Sequence, residues 1–283
     1  MLTGGVREHG CALPRVGFRR VTGAWQGEPV RPTSEPSVTA DDHAVAADLA
    51  RTAGELLLRV RDSGVTGADL KDLGDRSSHD YLVGALARLR PDDGLLSEEG
   101  ADDLRRLVAQ RVWIIDPVDG TREFSELSRV DWAVHVALAV DGEAVVGAVA
   151  LPARGLVLST GQALSVLPDS PARPRVLVSR TRPTAMVEAI AADLDGELLP
   201  MGSAGAKAMA VVLGEAEVYA HAGGQYEWDS AAPAAVARSA GLHVSRLDGA
   251  PLRYNRRDPW LPDLLICRPE LADAVLAIAA AYF

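Results

Sequence analysis

The stretch VWIIDPVDGTREF, residues 112–124, decides how the whole chain is read. Apolar and aromatic residues run straight into two aspartates, with Pro117, Val118, Gly120 and Thr121 packed around them. One reading is a plain surface turn: proline presets φ and glycine supplies φ > 0. The other uses the same geometry for chemistry. Val112–Ile115 reads as a buried strand, so Asp116 closes it at the edge where α/β proteins bind ligands. Asp119 follows across the tight turn, and both carboxylates can face one cation. The Val118 carbonyl, held outward, offers a third oxygen, and hard cations such as Mg²⁺ want such ligands. Gly120 and Thr121 open a short helix whose N–H groups suit a phosphate. Taken alone, the stretch leaves both readings open.

Composition narrows the classes. The chain has 283 residues, 48% of them apolar, enough for one large domain or two medium ones. Its net charge of −10 disfavours a nucleic-acid binder, which would be basic. An acidic protein that handles anions needs positive charge from elsewhere, and a divalent metal is the obvious source. Cys11 and Cys267 form no metal-like spacing and no disulfide framework, which points to a reducing cytoplasm. No apolar run is long enough to span a bilayer, so no membrane partner is expected. Residues 1–36 lack a continuous apolar segment and read as a poorly ordered extension. Of 29 basic residues only Lys71 and Lys207 are lysine, and a compact ammonium behaves unlike a planar guanidinium.

Hydrophobic periodicity organises the rest. Thr39 caps a helix that runs to about Arg61, and a second helix is expected over Asp75–Arg90. Gly94–Ser97, Val112–Ile115 and Trp132–Val140 read as strands. Asp141-Gly142 signals a hairpin to Glu143–Leu151, and Gly155–Thr160 continues the meander. A polar, aperiodic stretch at 161–174 suggests a boundary between an N-terminal α+β domain, 37–166, and a C-terminal α/β domain, 167–283. Strands and helices alternate beyond it: strands at 175–179, 197–199, 217–220 and 264–267, helices at 183–193, 204–213, 230–240 and 270–281. Such alternation means α/β layering.

Further acidic groups could join the first pair. Ser97-Glu98-Glu99 ends a strand, where an exposed acidic pair is the bland alternative. Asp229, in Trp228-Asp229-Ser230-Ala231-Ala232-Pro233, could be a helix N-cap with Pro233 in the first turn, and that is compatible with ligation. Asp75 could be explained by Arg76 or by a cap. Taken together and in order, LLSEE, WIIDPVDGTREF, GSAGAKAM and EWDSAAP closely resemble the inositol monophosphatase superfamily of Mg²⁺-dependent, Li⁺-sensitive phosphatases, over roughly residues 40–270. DGT followed by Arg122-Glu123-Phe124 resembles its 3′(2′),5′-bisphosphate nucleotidase branch.

The resemblance implies an α-β-α-β-α sandwich of the inositol monophosphatase/fructose-1,6-bisphosphatase type. It implies that Glu98, Asp116, the Val118 carbonyl, Asp119 and Asp229 hold two or three Mg²⁺ ions, and that hydrolysis proceeds between paired ions without a covalent enzyme intermediate. Asp75 and Thr121 match the pair that orients the attacking water. Gly120, Thr121, Arg182, Ser203, Lys207 and His221 match the contacts to a phosphorylated nucleotide. The ordinary alternatives are a surface arginine for Arg182 and a local backbone contact for His221. The Lys-x-Asp-x-Ser-Pro-Val-Thr run that members carry before the aspartate is absent, so Lys71 has no clear counterpart. The implied activity is removal of the 3′-phosphate from adenosine 3′,5′-bisphosphate, leaving AMP, in sulfate assimilation, with the 3′-phosphorylated sulfate donor as a further substrate. A homodimer is compatible with this reading. Inositol 1-phosphate or fructose 1,6-bisphosphate would be the rival substrates of the same metal site. A non-catalytic nucleotide or metal sensor is the rival of another class. A serine hydrolase is excluded, since Met201 replaces the first glycine of GxSxG around Ser203.

Overall fold

The structure is a computed structural model that describes Met1 and residues 38–163, 170–181 and 183–282. The expected extension, 1–36, and Arg182 lie outside the described residues. Two long helices come first, α1 (Ala40–Arg61) and α2 (Gly67–Leu89). There follow β1 (Gly94–Ser97), β2 (Arg111–Asp119), the single turn α3 (Thr121–Ser125), β3 (Ala133–Val140), β4 (Glu143–Leu151) and β5 (Leu156–Ser159). The second half runs β6 (Arg175–Ser179), α4 (Ala185–Asp193), β7 (Glu197–Met201), α5 (Ala204–Val212), β8 (Val218–Tyr226), α6 (Glu227–Ser239), β9 (His243–Ser245), β10 (Trp260–Cys267) and α7 (Ala272–Ala279).

Local chemistry sets these elements. Thr39 Oγ1 accepts from Asp42 N (3.2 Å) and Asp42 returns a carboxylate to Thr39 N (2.9 Å), a reciprocal cap at the start of α1. Helix α2 begins eight residues before the expected Asp75, because its buried stripe is Leu70, Gly74, Ser78 and Leu82. Gly74 and Ser78 carry no apolar signal, yet Gly74 must be small: a Cβ there would stand 2.5 Å from the Phe124 ring.

The first sheet has the order β1-β2-β3-β4-β5, parallel only between β1 and β2. The second has the order β7-β6-β8-β10-β9, parallel from β7 to β8 and antiparallel beyond. Alternation along β2 splits its side chains between two cores. Trp113 and Ile115 pack with α1 and α2. Val112 and Ile114 pack with α5, α6 and the inner face of the second sheet. The outer face of that sheet, with Val176, Val218 and Leu265, packs against α4 and α7. The layers are therefore α-β-α-β-α, as the sequence led one to expect. The division at 161–174 stays a proposal; α6, from the second half, packs on β2, β3 and β4 of the first sheet. Among the described residues no helix is long and apolar enough to cross a membrane.

Candidate active site

Strand β2 does not stop at Ile115. It continues through the Asp-Pro-Val-Asp stretch as an irregular strand, because one extra residue is inserted. From Asp116 to Asp119 it takes three steps while its partner β3 takes two, from His135 to Ala133. That bulge is what makes the site. In a regular strand residues three apart point to opposite faces; the extra residue brings both aspartates to the α6 side. Pro117 fits there because a bulge does not need its missing N–H. The insertion is tied down locally: Val118 N donates to Asp116 Oδ1 (3.0 Å), Thr121 Oγ1 donates to the Val118 carbonyl (3.2 Å), and Ser78 Oγ donates to the Pro117 carbonyl (2.8 Å).

Asp229 arrives from the start of α6. The helix begins at Glu227, so Asp229 sits in its first turn and is not the N-cap; its Oδ2 accepts from Tyr226 N (2.6 Å). Pro233 consequently falls in the second turn, where it has no N–H to give the Asp229 carbonyl. Oxygens of Asp116, Asp119 and Asp229 all lie within 4.8 Å of one another. Glu98, at the exposed end of β1, stands outside that trio, and its charge acts on Asp116.

The electrostatics are those of a cluster short of positive charge. Burial, then the charges of Glu98, Asp119 and Asp229, push Asp116 well above the usual carboxylate range. Burial, then Asp119, push Asp229 up to about 6. Crowding by the protein, then Asp229, Glu99 and Asp119, push Glu98 up to about 7. Asp119 is the exception. Burial would raise it, but His135, the Ser203 hydroxyl and the Gly205 N–H outweigh that and hold it at about 2. Its Oδ2 accepts from Ser203 Oγ (2.5 Å) and Gly205 N (2.5 Å), and its Oδ1 accepts from Ala204 N (3.0 Å), leaving Oδ1 a spare lone pair. A buried set of hard oxygen donors, mutually repelling and unbalanced by cations, fits a divalent metal ion.

The chain brings Asp75 and Thr121 together as well. Burial, then Glu99 and Asp72, push Asp75 up to about 7, against Lys71 and the Thr121 hydroxyl, which favour its charged form. Gly120 (φ 85°) caps α3, which has only five residues, so an anion there would meet N–H groups with little helix dipole behind them. Ser203 caps α5 with its hydroxyl on Ala206 N (2.9 Å). The Lys207 ammonium is buried and tied to the Ser203 carbonyl (2.6 Å), with the Tyr219 ring centroid 5.2 Å away. His221 Nε2 lies 3.0 Å from the Gly224 carbonyl, the local backbone contact that stood as its ordinary alternative. A cavity of about 510 Å³ joins the Asp119–Thr121 turn and Asp229 to Lys207, Tyr219 and His221.

Sequence reading missed His135 and Gly205. His135 is fully buried opposite Asp116, with Nδ1 2.9 Å from the Trp228 carbonyl and Nε2 3.2 Å from Asp119 Oδ2. A carbonyl only accepts, so Nδ1 carries hydrogen and Nε2 faces the carboxylate at an angle too poor for a formal hydrogen bond. Burial would lower the pKa of this histidine, but the Asp119 charge reverses that and raises it. The signal was visible: His135 is the one polar residue of Ala133–Val140. Gly205 gave no such signal. A Cβ there would stand 2.0 Å from His135 Nε2, so only glycine lets α5 press its N–H groups onto Asp119.

A sequence profile described as the inositol monophosphatase family matches residues 39–281. The chain belongs to that family. It is 51% identical over 253 residues to a protein of Mycobacterium leprae named 3′-phosphoadenosine 5′-phosphate phosphatase, covering 84% of this chain and 93% of that one. It is 31% identical over 232 residues to the 3′(2′),5′-bisphosphate nucleotidase CysQ of Escherichia coli K12, covering 75% and 94%. The crystal structure of CysQ from Bacteroides thetaiotaomicron superposes with a TM-score of 0.70 at 28% identity, covering 81% of this chain and 97% of that one.

Proposed function

We propose that this member of the family is a cytoplasmic, Mg²⁺-dependent phosphatase. It removes the 3′-phosphate of adenosine 3′,5′-bisphosphate, leaving AMP and phosphate, and serves sulfate assimilation, with the 3′-phosphorylated sulfate donor as a second substrate. The names of its relatives support the substrate. The observation that carries the chemistry is the convergence of Asp116, Asp119 and Asp229 from β2 and α6 beside a cavity.

Glu98, Asp116, Asp119, Asp229 and the Val118 carbonyl would hold the ions. Bound divalent ions supply Lewis acidity toward the phosphoryl oxygens and a lowered pKa for water. The chain supplies the rest. Thr121 follows the Asp119 turn with Asp75 near it, and an Asp75 pKa of about 7 suits proton transfer near neutral pH. His135, Ser203 and the first N–H groups of α5 fix the Asp119 carboxylate, so it does not have to be ordered at each turnover. Lys207 anchors the Gly202-Ser203 corner and sets positive charge at the cavity wall, where Gly120, Ser203 and His221 complete the nucleotide contacts.

The test is kcat/KM on adenosine 3′,5′-bisphosphate, inositol 1-phosphate and fructose 1,6-bisphosphate, with Mg²⁺, with EDTA and with Li⁺. The bisphosphate should be preferred, and EDTA or Li⁺ should stop phosphate release. A preference of about tenfold for inositol 1-phosphate, about 1.4 kcal/mol of transition-state binding, overturns the substrate. Undiminished release in EDTA overturns the metal.

A further inference from the structure

The cavity beside the acidic cluster holds polar groups that the proposed hydrolysis leaves unused. Gln225 is 6% exposed, and among the described residues neither its Oε1 nor its Nε2 has a hydrogen-bond partner. Tyr219 Oη beside the same cavity is also buried without one. Asp119, Lys207 and His221 around them are all engaged. Folded chains rarely leave both ends of a buried carboxamide unpaired, so such a group calls for a partner beyond the described residues.

The backbone is built to present it. Between Ala222 and Gln225, β8 takes three steps while β10 takes two, from Asp263 to Leu261. Gly223 and Gly224 absorb the extra residue at φ 98° and 91°, and a Cβ on Gly224 would stand 2.5 Å from Trp260 Nε1. The bulge sets the direction of Gln225; Gln225 is buried and its neighbour Tyr226 half exposed, and both residues border the cavity. Tyr226 is half exposed, and Trp228 holds its ring from one side, centroids 4.8 Å apart and planes 11° from parallel.

We infer that Gln225 and Tyr226 form the base-reading part of the site. A carboxamide sets a donor beside an acceptor, the complement of adenine, whose amino group lies beside a ring nitrogen. The aromatic wall offers a stacking surface for the ring. The fold covers the Gln225 tip, so contact with the base requires the carboxamide to turn toward the cavity that the residue borders. This rests on the proposal that a 3′,5′-bisphosphorylated adenosine is the substrate.

The experiment compares kcat/KM for adenosine 3′,5′-bisphosphate with that for purine riboside 3′,5′-bisphosphate, which lacks only the 6-amino group. The wild type should favour adenosine by about tenfold or more, because the analogue leaves the carboxamide unpaired. Gln225→Leu and Gln225→Met should bring that ratio close to one. Equal turnover of the two purines by the wild type overturns the inference, and this arm holds even where a variant fails to fold. A ratio that survives in either folded variant overturns it too. Should the wild type prefer inositol 1-phosphate to both nucleotides, the substrate assignment fails and the inference with it; equal purines with the nucleotides still preferred sinks the inference alone.

Discussion

The two ends of β2 treat buried aspartate in opposite ways. At its start, Asp42 is 1% exposed yet meets Arg90 Nε (3.0 Å) and Arg111 Nη2 (2.9 Å), and Arg111 Nε also holds Asp93 (2.9 Å), which accepts from Trp113 Nε1 (2.8 Å). Burial would raise Asp42, but the Arg111, Thr39 and Arg90 bonds drive it well below the usual carboxylate range. At the other end, Asp116, Asp119 and Asp229 converge with His135 and a distant, already occupied Lys207 as counter-charges. Acidic groups at the first end hold α1 to the sheet. At the second, Asp116 and Asp229 oppose folding in their charged forms, while His135, Ser203 and Gly205 hold Asp119 charged. Charge left unbalanced by the chain itself is what separates a binding centre from a structural ion-pair network.

The contrast breaks most visibly at Asp119. Asp119→Asn keeps the shape and removes the charge, and it should cost at least about a hundredfold in kcat, about 2.7 kcal/mol of barrier, with the circular dichroism of the folded chain intact. Near-normal turnover would remove Asp119 from the centre. Asp42→Ala should do the reverse. It strips two arginines of a partner and loses the α1 cap, so stability should fall by about 2 kcal/mol in urea titrations, below the about 3–5 kcal/mol for a fully buried pair. Arg90 and Arg111 keep some water contact, with side chains 17% and 19% exposed. Its folded fraction should turn over substrate normally; lost turnover there would mean that the two ends are coupled.

Much of this was legible in the chain. Period-two and helical patterning gave most of the elements and the layering, and the Asp116 and Asp119 pair stood out against a strand of apolar residues. What was not legible depends on register. One inserted residue in β2 decides whether Asp116 and Asp119 share a face, and no local signal places a bulge. Strand β9 and the first half of β10, Trp260–Asp263, were missed because proline and polar residues interrupt their pattern. Helix α6 was expected to start too late because a proline suggested its first turn. Gly205 and the orphaned Gln225 acquire meaning only once α5 docks on Asp119 and β8 bulges against β10.

The smallest effect separates the two ends by pH. An acid whose pKa rises on folding binds its proton more tightly in the folded chain, so stability falls as pH climbs between its unfolded and folded values. Glu98, from 4.5 to about 7, and Asp229, from 3.8 to about 6, act in this direction, and Asp116 adds to it. Asp42 and Asp119 carry the opposite sign: their stabilisation is whole above 3.8 and is lost as pH falls below it. Metal-free protein should therefore gain stability as pH is lowered from about 7.5 to about 4.5, and lose it below that. Asp116→Asn should flatten the first limb and raise the neutral-pH stability of the metal-free chain by about 1 kcal/mol, while leaving the acid limb to Asp42 and Asp119. Added Mg²⁺ should reverse the first limb in the wild type, because a cation competes with protons for the same oxygens. Thermal melts at a series of pH values would read all three, and a metal-free chain whose stability rises steadily to neutral pH would mean that the carboxylates at the second end are balanced after all.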